Sequence, residues 1–202
     1  MQLILNSGWI GVGIGLLFLI ALTFIIERFL VYYRETTSSE DLRDRITEAV
    51  DNRQYDEASQ ICHSSRAALG KLYLVGIENH QKGPAALRNI LFREIDLIIM
   101  PPLKQRLGFI STIGKAAPML GLMGTVLGMI GAFSNIAGAQ GQGVDPKDLA
   151  GDIGMALGTT FLGLFVALPV LFATTYLRAK VEKFQLDLDW HAQYCIDMLY
   201  HK

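Results

Sequence analysis

The feature that most constrains this chain is the apolar stretch 116–144, which contains no charged side chain. About 20 apolar residues in a helix suffice to cross a bilayer. In water, glycine in a helix costs about 1 kcal/mol relative to alanine, whereas in lipid small residues let two helix backbones approach closely. The stretch therefore predicts a membrane-spanning helix that packs tightly against another helix. The packing face is predicted from four glycines at spacings of three, four and three, which share one side of a helix: Gly121, Gly124, Gly128 and Gly131.

Two other runs, 1–26 and 153–177, also lack Asp, Glu, Lys and Arg, and each can supply a spanning helix. The remaining segments are charged and place apolar residues at helical spacing. We therefore predict an all-α membrane protein with three transmembrane helices and a helical cytoplasmic segment between the first two. Spans two and three are predicted to extend into the cytoplasm. The second helix is expected to be continuous from Leu103 to Ala137, and a short separate helix is expected after Pro146.

The distribution of basic residues predicts the orientation, because Lys and Arg are enriched on the cytoplasmic side of membrane proteins. They follow span one, precede span two and follow span three, whereas the connection between spans two and three holds only Lys147. The N-terminus is therefore predicted outside and the C-terminus in the cytoplasm. The predicted segments are a first transmembrane helix 1–33, a cytoplasmic helical segment 34–106, a second transmembrane helix 107–137, a periplasmic loop 138–151, a third transmembrane helix 152–178 and a cytoplasmic tail 179–202.

Composition excludes chemistry that needs ionisable groups in the membrane. The middle thirds of the spans contain no Asp, Glu, His, Lys, Arg or Cys. An intramembrane protease or metal enzyme needs such groups, and a proton relay acting alone needs an ionisable side chain at depth. We therefore predict no enzyme activity, no cofactor and no metal site. The net charge of -1 gives no signal for nucleic-acid binding, and Cys62 and Cys195 are expected to be reduced cytoplasmic thiols.

The polar groups that remain in spans two and three are hydroxyls, chiefly those of Thr125, Thr159 and Thr160. A threonine in a membrane helix often bonds its own preceding carbonyl, so a purely structural role is the simpler interpretation. Pro118 and Pro169 can likewise be simple kinks. On span three, small residues share one face and are expected to pack against another helix: Ala156, Thr160, Gly163 and Ala167.

The motifs around these hydroxyls resemble those of a known family. Residues 117–130 read Ala-Pro-Met-Leu-Gly-Leu-Met-Gly-Thr-Val-Leu-Gly-Met-Ile and resemble the second-span motif of the ExbB/TolQ/MotA family of ion-driven motor subunits, which form proton channels. Residues 156–169 read Ala-Leu-Gly-Thr-Thr-Phe-Leu-Gly-Leu-Phe-Val-Ala-Leu-Pro and resemble its third-span motif. Glu27-Arg28 also fits. The length of the chain and the Ala-Pro-x-Leu-Gly-Leu run favour the ExbB/TolQ branch over flagellar MotA.

The resemblance implies a bacterial inner-membrane protein that forms a homopentamer around two single-span partner helices similar to ExbD or TolR. The partner's membrane aspartate would carry the ion, which fits spans that lack an acid of their own. By motif position, Thr125 and Thr160 would face that aspartate. A TonB- or TolA-like protein is a further partner that the resemblance allows. The implied function is a channel-forming scaffold of a motor that uses the proton-motive force for transport or mechanical work at the cell envelope.

Two features depart from the ExbB/TolQ pattern. Met155 occupies a position where that branch usually has glutamate, and the paired Thr159-Thr160 also occurs in sodium-driven stators. A sodium-driven stator of the same family is therefore one alternative. The other alternative is a passive membrane scaffold, in which the glycines only pack helices and there is no ion path.

Overall fold

The computed structural model describes residues 8–36, 39–52, 54–65, 67–138 and 146–200. Throughout these ranges the ordered elements are helices, in agreement with the predicted all-α fold. Three stretches of helix within them are long and apolar enough to cross a membrane. In chain order the elements are α1 (Gly8–Thr36), α2 (Ser39–Asp51), α3 (Tyr55–Ser64), α4 (Ala68–Glu78), a 3-10 turn (His80–Lys82), α5 (Pro84–Glu94), a π-helical turn (Ile95–Ile99), α6 (Met100–Lys104), α7 (Leu107–Gly138) and α8 (Pro146–Tyr200).

The chain divides into two compact units. The first, which we call the membrane unit, contains the chain up to Ile26 together with Arg106–Tyr176. The second, the cytoplasmic unit, contains Glu27–Gln105 and the end of the chain from Leu177. Their names follow the sequence prediction, since the first unit holds the charge-free runs and the second holds most of the charged residues.

The membrane unit consists of α7, the apolar part of α1 and the first part of α8. Its buried side chains are mostly small or β-branched, and its large apolar side chains are mostly exposed. On α7 and α8, for example, Leu122, Phe133, Phe161 and Phe172 are all exposed. Apolar side chains that point away from the protein are expected of helices surrounded by lipid.

The cytoplasmic unit has a conventional apolar core. Tyr73 is completely buried and lies near His191, with 3.1 Å between the Tyr73 hydroxyl and Nδ1 of His191. The hydroxyl of Tyr200, near the end of α8, contacts the His80 carbonyl and accepts the backbone N–H of Gly83 at 3.0 Å. These bonds join the C-terminal part of α8 to the segment before α5. The other fully buried large side chains of this unit are Ile46, Leu72, Leu87, Leu91, Ile95, Met100 and Leu188.

The prediction of a continuous helix from Leu103 to Ala137 is wrong. Helix α6 ends at Lys104, Gln105 is extended with ψ of 143°, and Arg106 has a left-handed φ of 70°. A new helix then begins at Leu107. A positive φ is uncommon in a residue other than glycine. Because the break falls on Gln105 and Arg106, neither of which is a glycine or a proline, the sequence gives no local signal for it. The guanidinium of Arg106 lies 5.4 Å from the ring of Phe24, a cation–π contact that favours the turned conformation.

The proline pair Pro101-Pro102 does not end the preceding helix at once. The backbone widens into the π-helical turn Ile95–Ile99 and then returns to α-helical geometry in Met100–Lys104, which includes both prolines. A proline ring clashes with the carbonyl four residues earlier in a regular α-helix. A π-helical turn changes the position of that carbonyl, which explains how the helix continues for five residues beyond Ile99 and through both prolines.

The separate short helix predicted after Pro146 is also wrong, because Pro146–Tyr200 is a single helix. Proline is favoured in the first helical turn, and no residue after it interrupts the hydrogen bonding enough to end the helix. Gly151 and Gly154 continue as helix. The remaining part of the predicted outer loop, residues 139–145, lies outside the described residues, as do residues 1–7 of the predicted first segment.

Candidate functional site

The candidate site is the contact between α7 and α8, where glycines bring the two backbones together. A Cβ atom added to Gly121 would lie 2.9 Å from the Thr159 carbonyl oxygen and 3.0 Å from Cα of Thr160. A Cβ atom on Gly163 would lie 2.6 Å from the carbonyl oxygen of Ala117. Side-chain Cβ atoms almost never approach backbone this closely, so only glycine fits at either position. The contact therefore depends on backbone-to-backbone packing.

Two further positions of the contact are equally tight. A Cβ atom on Gly128 would lie 2.7 Å from Cβ of Ala156. One on Gly124 would overlap the side chain of Thr159, with only 2.5 Å to its Cβ. The side chain of Thr159 therefore occupies the space that the missing side chain of Gly124 leaves. Thr159 is only 2% exposed as a result.

Each threonine of the site donates its hydroxyl to a backbone carbonyl. Thr159 donates to the Ala156 carbonyl at 2.7 Å and approaches the Gly121 carbonyl at 3.3 Å. Thr160 donates to the same Gly121 carbonyl at 3.1 Å and is half-buried. Thr125 lies one turn after Gly121 and donates to the Leu122 carbonyl at 2.7 Å. It too is half-buried, but its bond stays within α7, whereas Thr160 lies at the edge of the contact and Thr159 lies inside it.

The other predicted packing residues lie outside the closest contact. A Cβ on Gly131 would have one neighbour, an Asp152 carboxylate oxygen at 3.9 Å. Pro118 is half-buried and Pro169 is exposed, and neither interrupts its helix. A polar pair that the sequence did not predict lies near Gly131. There the Asn135 amide donates to the Asp152 carboxylate at 2.8 Å.

Between residues 117–128 of α7 and residues 156–163 of α8, which exclude Asp152, the chemistry available at this contact is limited to hydroxyl and carbonyl groups. A threonine oxygen that donates its hydrogen retains lone pairs, so it can still accept a hydrogen bond from water or from a protonated acid. It can also redirect its hydrogen toward an incoming carboxylate, and a hydrogen bond to a charged acceptor is about twice as strong as one between neutral groups. The contact can therefore assist a proton carrier but has no ionisable group with which to be one.

These observations define a class: a multi-pass helical membrane protein whose spans meet through glycine and threonine and carry no acid in the contact. Residues 64–190 match the model of the MotA/TolQ/ExbB proton channel family. The chain belongs to this family, so the predicted family is confirmed.

Individual relatives point to the ExbB branch. The chain is 30% identical over 193 residues to a putative biopolymer transport protein ExbB-like 1 of Synechocystis sp., an alignment that covers 93% of this chain and 73% of that protein. It is 36% identical over 110 residues to the biopolymer transport protein ExbB of Xanthomonas campestris, covering 51% of this chain and 41% of the relative. It is 42% identical over 80 residues to ExbB of Neisseria meningitidis, covering 40% and 36%. The chain thus spans less than half of the Xanthomonas and Neisseria relatives.

Proposed function

We propose that this chain is the channel-forming scaffold of an inner-membrane motor driven by the proton-motive force, and that it powers transport or mechanical work at the cell envelope. The observation that carries the proposal is the pair of half-buried hydroxyls, Thr125 and Thr160, beside a helix contact without ionisable groups. Membership of a proton channel family and relatives named for biopolymer transport support it.

The proton carrier in this proposal is an acid on another chain. Runs 116–144 and 153–177 contain no Asp, Glu, His, Lys or Arg, and proton transfer through a bilayer needs a group that can be protonated at depth. A single-span partner similar to ExbD or TolR, with an aspartate in its membrane helix, would supply that group. A TonB- or TolA-like protein would transmit the work further.

The two half-buried threonines are the residues that we assign to this aspartate. When the aspartate is ionised, Thr160 turns its hydrogen from the Gly121 carbonyl to the carboxylate. When the aspartate is protonated, the threonine oxygen accepts the acid's hydrogen and the Gly121 bond forms again. Thr159 is enclosed between the helices and serves mainly to pack against Gly124.

Assembly and topology complete the proposal. Five copies would surround the partner helices, with the N-terminal side of α1 and residues 138–151 in the periplasm. Residues 34–106 and 179–202 would lie in the cytoplasm, following the positions of the basic residues. Helices α7 and α8 would extend beyond the bilayer on the cytoplasmic side, because α7 alone spans 32 residues, or about 48 Å at 1.5 Å each.

The decisive experiment replaces Thr160 with valine, which has nearly the same shape but cannot form hydrogen bonds. The complex with its single-span partner is reconstituted into vesicles, and proton flux is measured under an imposed pH gradient. We expect Thr160→Val to assemble normally but to lose flux by tenfold or more, and Thr160→Ser to retain it. Thr159→Val is the matched control, because it removes the neighbouring hydroxyl from inside the contact.

Three results would count against the proposal in different ways. Normal flux in Thr160→Val together with loss of flux in Thr159→Val would show that Thr159, and not Thr160, lines the ion path. Normal flux in both variants would favour the passive scaffold, in which the hydroxyls only satisfy backbone carbonyls. Flux that follows a sodium gradient instead of a proton gradient would establish the sodium-driven stator, for which the oxygens of Thr159, Thr160 and Gly121 lie close together.

Topology is tested by labelling introduced cysteines with a membrane-impermeant thiol reagent in cells with a permeable outer membrane. Ala150→Cys should react and Glu182→Cys should not, and the opposite pattern would reverse the orientation. Both native cysteines are buried. Burial raises the pKa of the Cys62 thiol to about 11 and that of Cys195 to about 12. Because the thiolate is the reactive form, neither native cysteine interferes with the labelling.

A further inference from the structure

A cavity of about 210 Å³ in the cytoplasmic unit has no part in the proposed ion path. One water molecule needs only about 10–15 Å³ of such space, so the cavity has room for a larger group. Its wall combines basic, acidic and apolar side chains, among them Arg28, Lys71, Glu35, Val31, Ile98 and Leu103.

Arg28 is the most informative residue of the wall. Its side chain is only 10% exposed. One terminal nitrogen donates to the Pro102 carbonyl at 2.7 Å, and the other donates to the Glu27 carboxylate at 3.1 Å. The Nε atom is buried and has no acceptor among the described residues. A buried donor without an acceptor is unusual in a folded protein, and a guanidinium has five N–H groups with which to hold an anion.

The charges of the wall favour an anion over a cation. The exposed Lys71 adds a second positive charge to that of Arg28. The carboxylate in the wall, that of Glu35, already accepts the backbone N–H of Ala68 at 2.9 Å. Glu27, which lies outside the wall, offsets part of the positive charge of Arg28. The positive charge of Lys71 is therefore the main electrostatic attraction for an anionic ligand.

The apolar part of the wall and its place in the sequence indicate what kind of anion fits. Val31 and Ile98 line the cavity, and Ile98 is 57% exposed although it is a large apolar side chain. Glu27 and Arg28 are the first charged residues after the apolar run 1–26, which is where lipid headgroups meet a spanning helix. Basic pockets at the cytoplasmic end of membrane helices bind the headgroups of anionic lipids.

We propose that this cavity binds the phosphate group of an anionic phospholipid, with Arg28 and Lys71 as its cationic partners and with Val31 and Ile98 against the glycerol and the start of the acyl chains. A free phosphate ion has the same charged group but no use for the apolar side of the wall. The two sources of phosphate can therefore be distinguished by experiment.

The test measures lipid binding to the purified full chain in mild detergent by native mass spectrometry. Phosphatidylglycerol, phosphatidylcholine and inorganic phosphate are titrated separately, and phosphate is also added as a competitor of phosphatidylglycerol. We expect one tightly bound phosphatidylglycerol, about fivefold weaker in Lys71→Gln, which is the effect expected of one basic residue at a lipid surface. Lys183→Gln removes the same charge from an exposed position outside the wall and should bind like the original protein.

Arg28→Gln should weaken binding further, but this residue also bonds Pro102, so Lys71→Gln remains the decisive variant. Equal binding by Lys71→Gln and Lys183→Gln would overturn the proposal. Equal binding of phosphatidylcholine would overturn the requirement for an anionic lipid. Displacement of phosphatidylglycerol by inorganic phosphate at equal concentration would assign the cavity to the free ion and overturn the lipid. None of these outcomes depends on ion flux.

Discussion

The two units of this protein pack their helices in opposite ways. In the membrane unit, α7 and α8 meet where side chains are missing or small, at Gly121, Gly128 and Gly163. In the cytoplasmic unit, the core is made of large side chains such as Tyr73 and Leu91, both completely buried. Each unit thus has close packing, but only one of them achieves it by burying large apolar surface.

The difference follows from the solvent that each unit is expected to face. In water, burying a Leu or Phe side chain contributes about 1.5–3 kcal/mol. In lipid that contribution disappears, because the acyl chains are as apolar as leucine, and association depends on close packing and on hydrogen bonds between helices. The bonds from Thr159 and Thr160 to the Gly121 carbonyl are of this second kind.

The largest expected effect is the loss of a large side chain from the cytoplasmic core. Leu91→Ala removes a side chain that is 0% exposed and should cost about 2–5 kcal/mol of stability. The measurement is the melting temperature of the purified protein, with proteolysis of the cytoplasmic unit as the signal of unfolding. Leu97→Ala is the matched control, because Leu97 is 64% exposed. Equal melting temperatures for the two variants would mean that the cytoplasmic unit does not depend on apolar burial.

An added side chain should have the corresponding effect in the membrane unit. Gly128→Leu places bulk where a Cβ would already lie 2.7 Å from Cβ of Ala156, and overpacking typically costs about 1–3 kcal/mol. We expect the variant to aggregate or to lose its oligomeric state in mild detergent, measured by size-exclusion chromatography with light scattering. Gly131→Leu is the control, since a Cβ there has one neighbour at 3.9 Å. A Gly128→Leu protein of unchanged mass and stability would refute the backbone-contact account.

The smallest effect on stability concerns a polar contact of the buried Tyr73 in the cytoplasmic core, with His191. Burial raises the pKa of the Tyr73 hydroxyl, so this group remains protonated and can donate to Nδ1 of His191 when the imidazole proton is on Nε2. Tyr73→Phe should cost about 0.5–1.5 kcal/mol, the usual net value of one hydrogen bond. The check is a comparison of melting temperatures at neutral pH, and an unchanged value would show that the bond does not stabilise the core.

The same pair should make stability depend on pH. Burial, with a further effect of Arg43, lowers the pKa of His191 below its ordinary 6.5, and Asp187 opposes the shift. The unfolded chain therefore takes up a proton before the folded protein does, so this contribution to stability is complete above pH 6.5 and is lost as the pH falls below it. Melting temperatures measured one pH unit above and below this value should differ more in the original protein than in His191→Gln. An equal difference in both proteins would assign the pH dependence to other groups.

Much of the fold could be predicted from local sequence signals. The charge-free runs predicted three spanning helices, and the described part of the chain has three helical stretches of suitable length and composition. The break at Gln105 and Arg106 was not predicted, because neither residue is a helix breaker and the contact with Phe24 joins positions far apart in sequence.

The sequence by itself determined the fold class, the number of apolar spans and the absence of ionisable groups from them, because these depend on composition and on helical spacing. Only the tertiary structure decided that Thr159 is enclosed against Gly124 while Thr160, next to it, remains half-buried. Adjacent residues differ by about 100° around a helix, so a face is assigned only once the opposing helix is in place. Here the opposing residues are the glycines of α7. The space at Gly124 is filled by the side chain of Thr159, whereas at Gly121 the close neighbours are backbone atoms of Thr159 and Thr160.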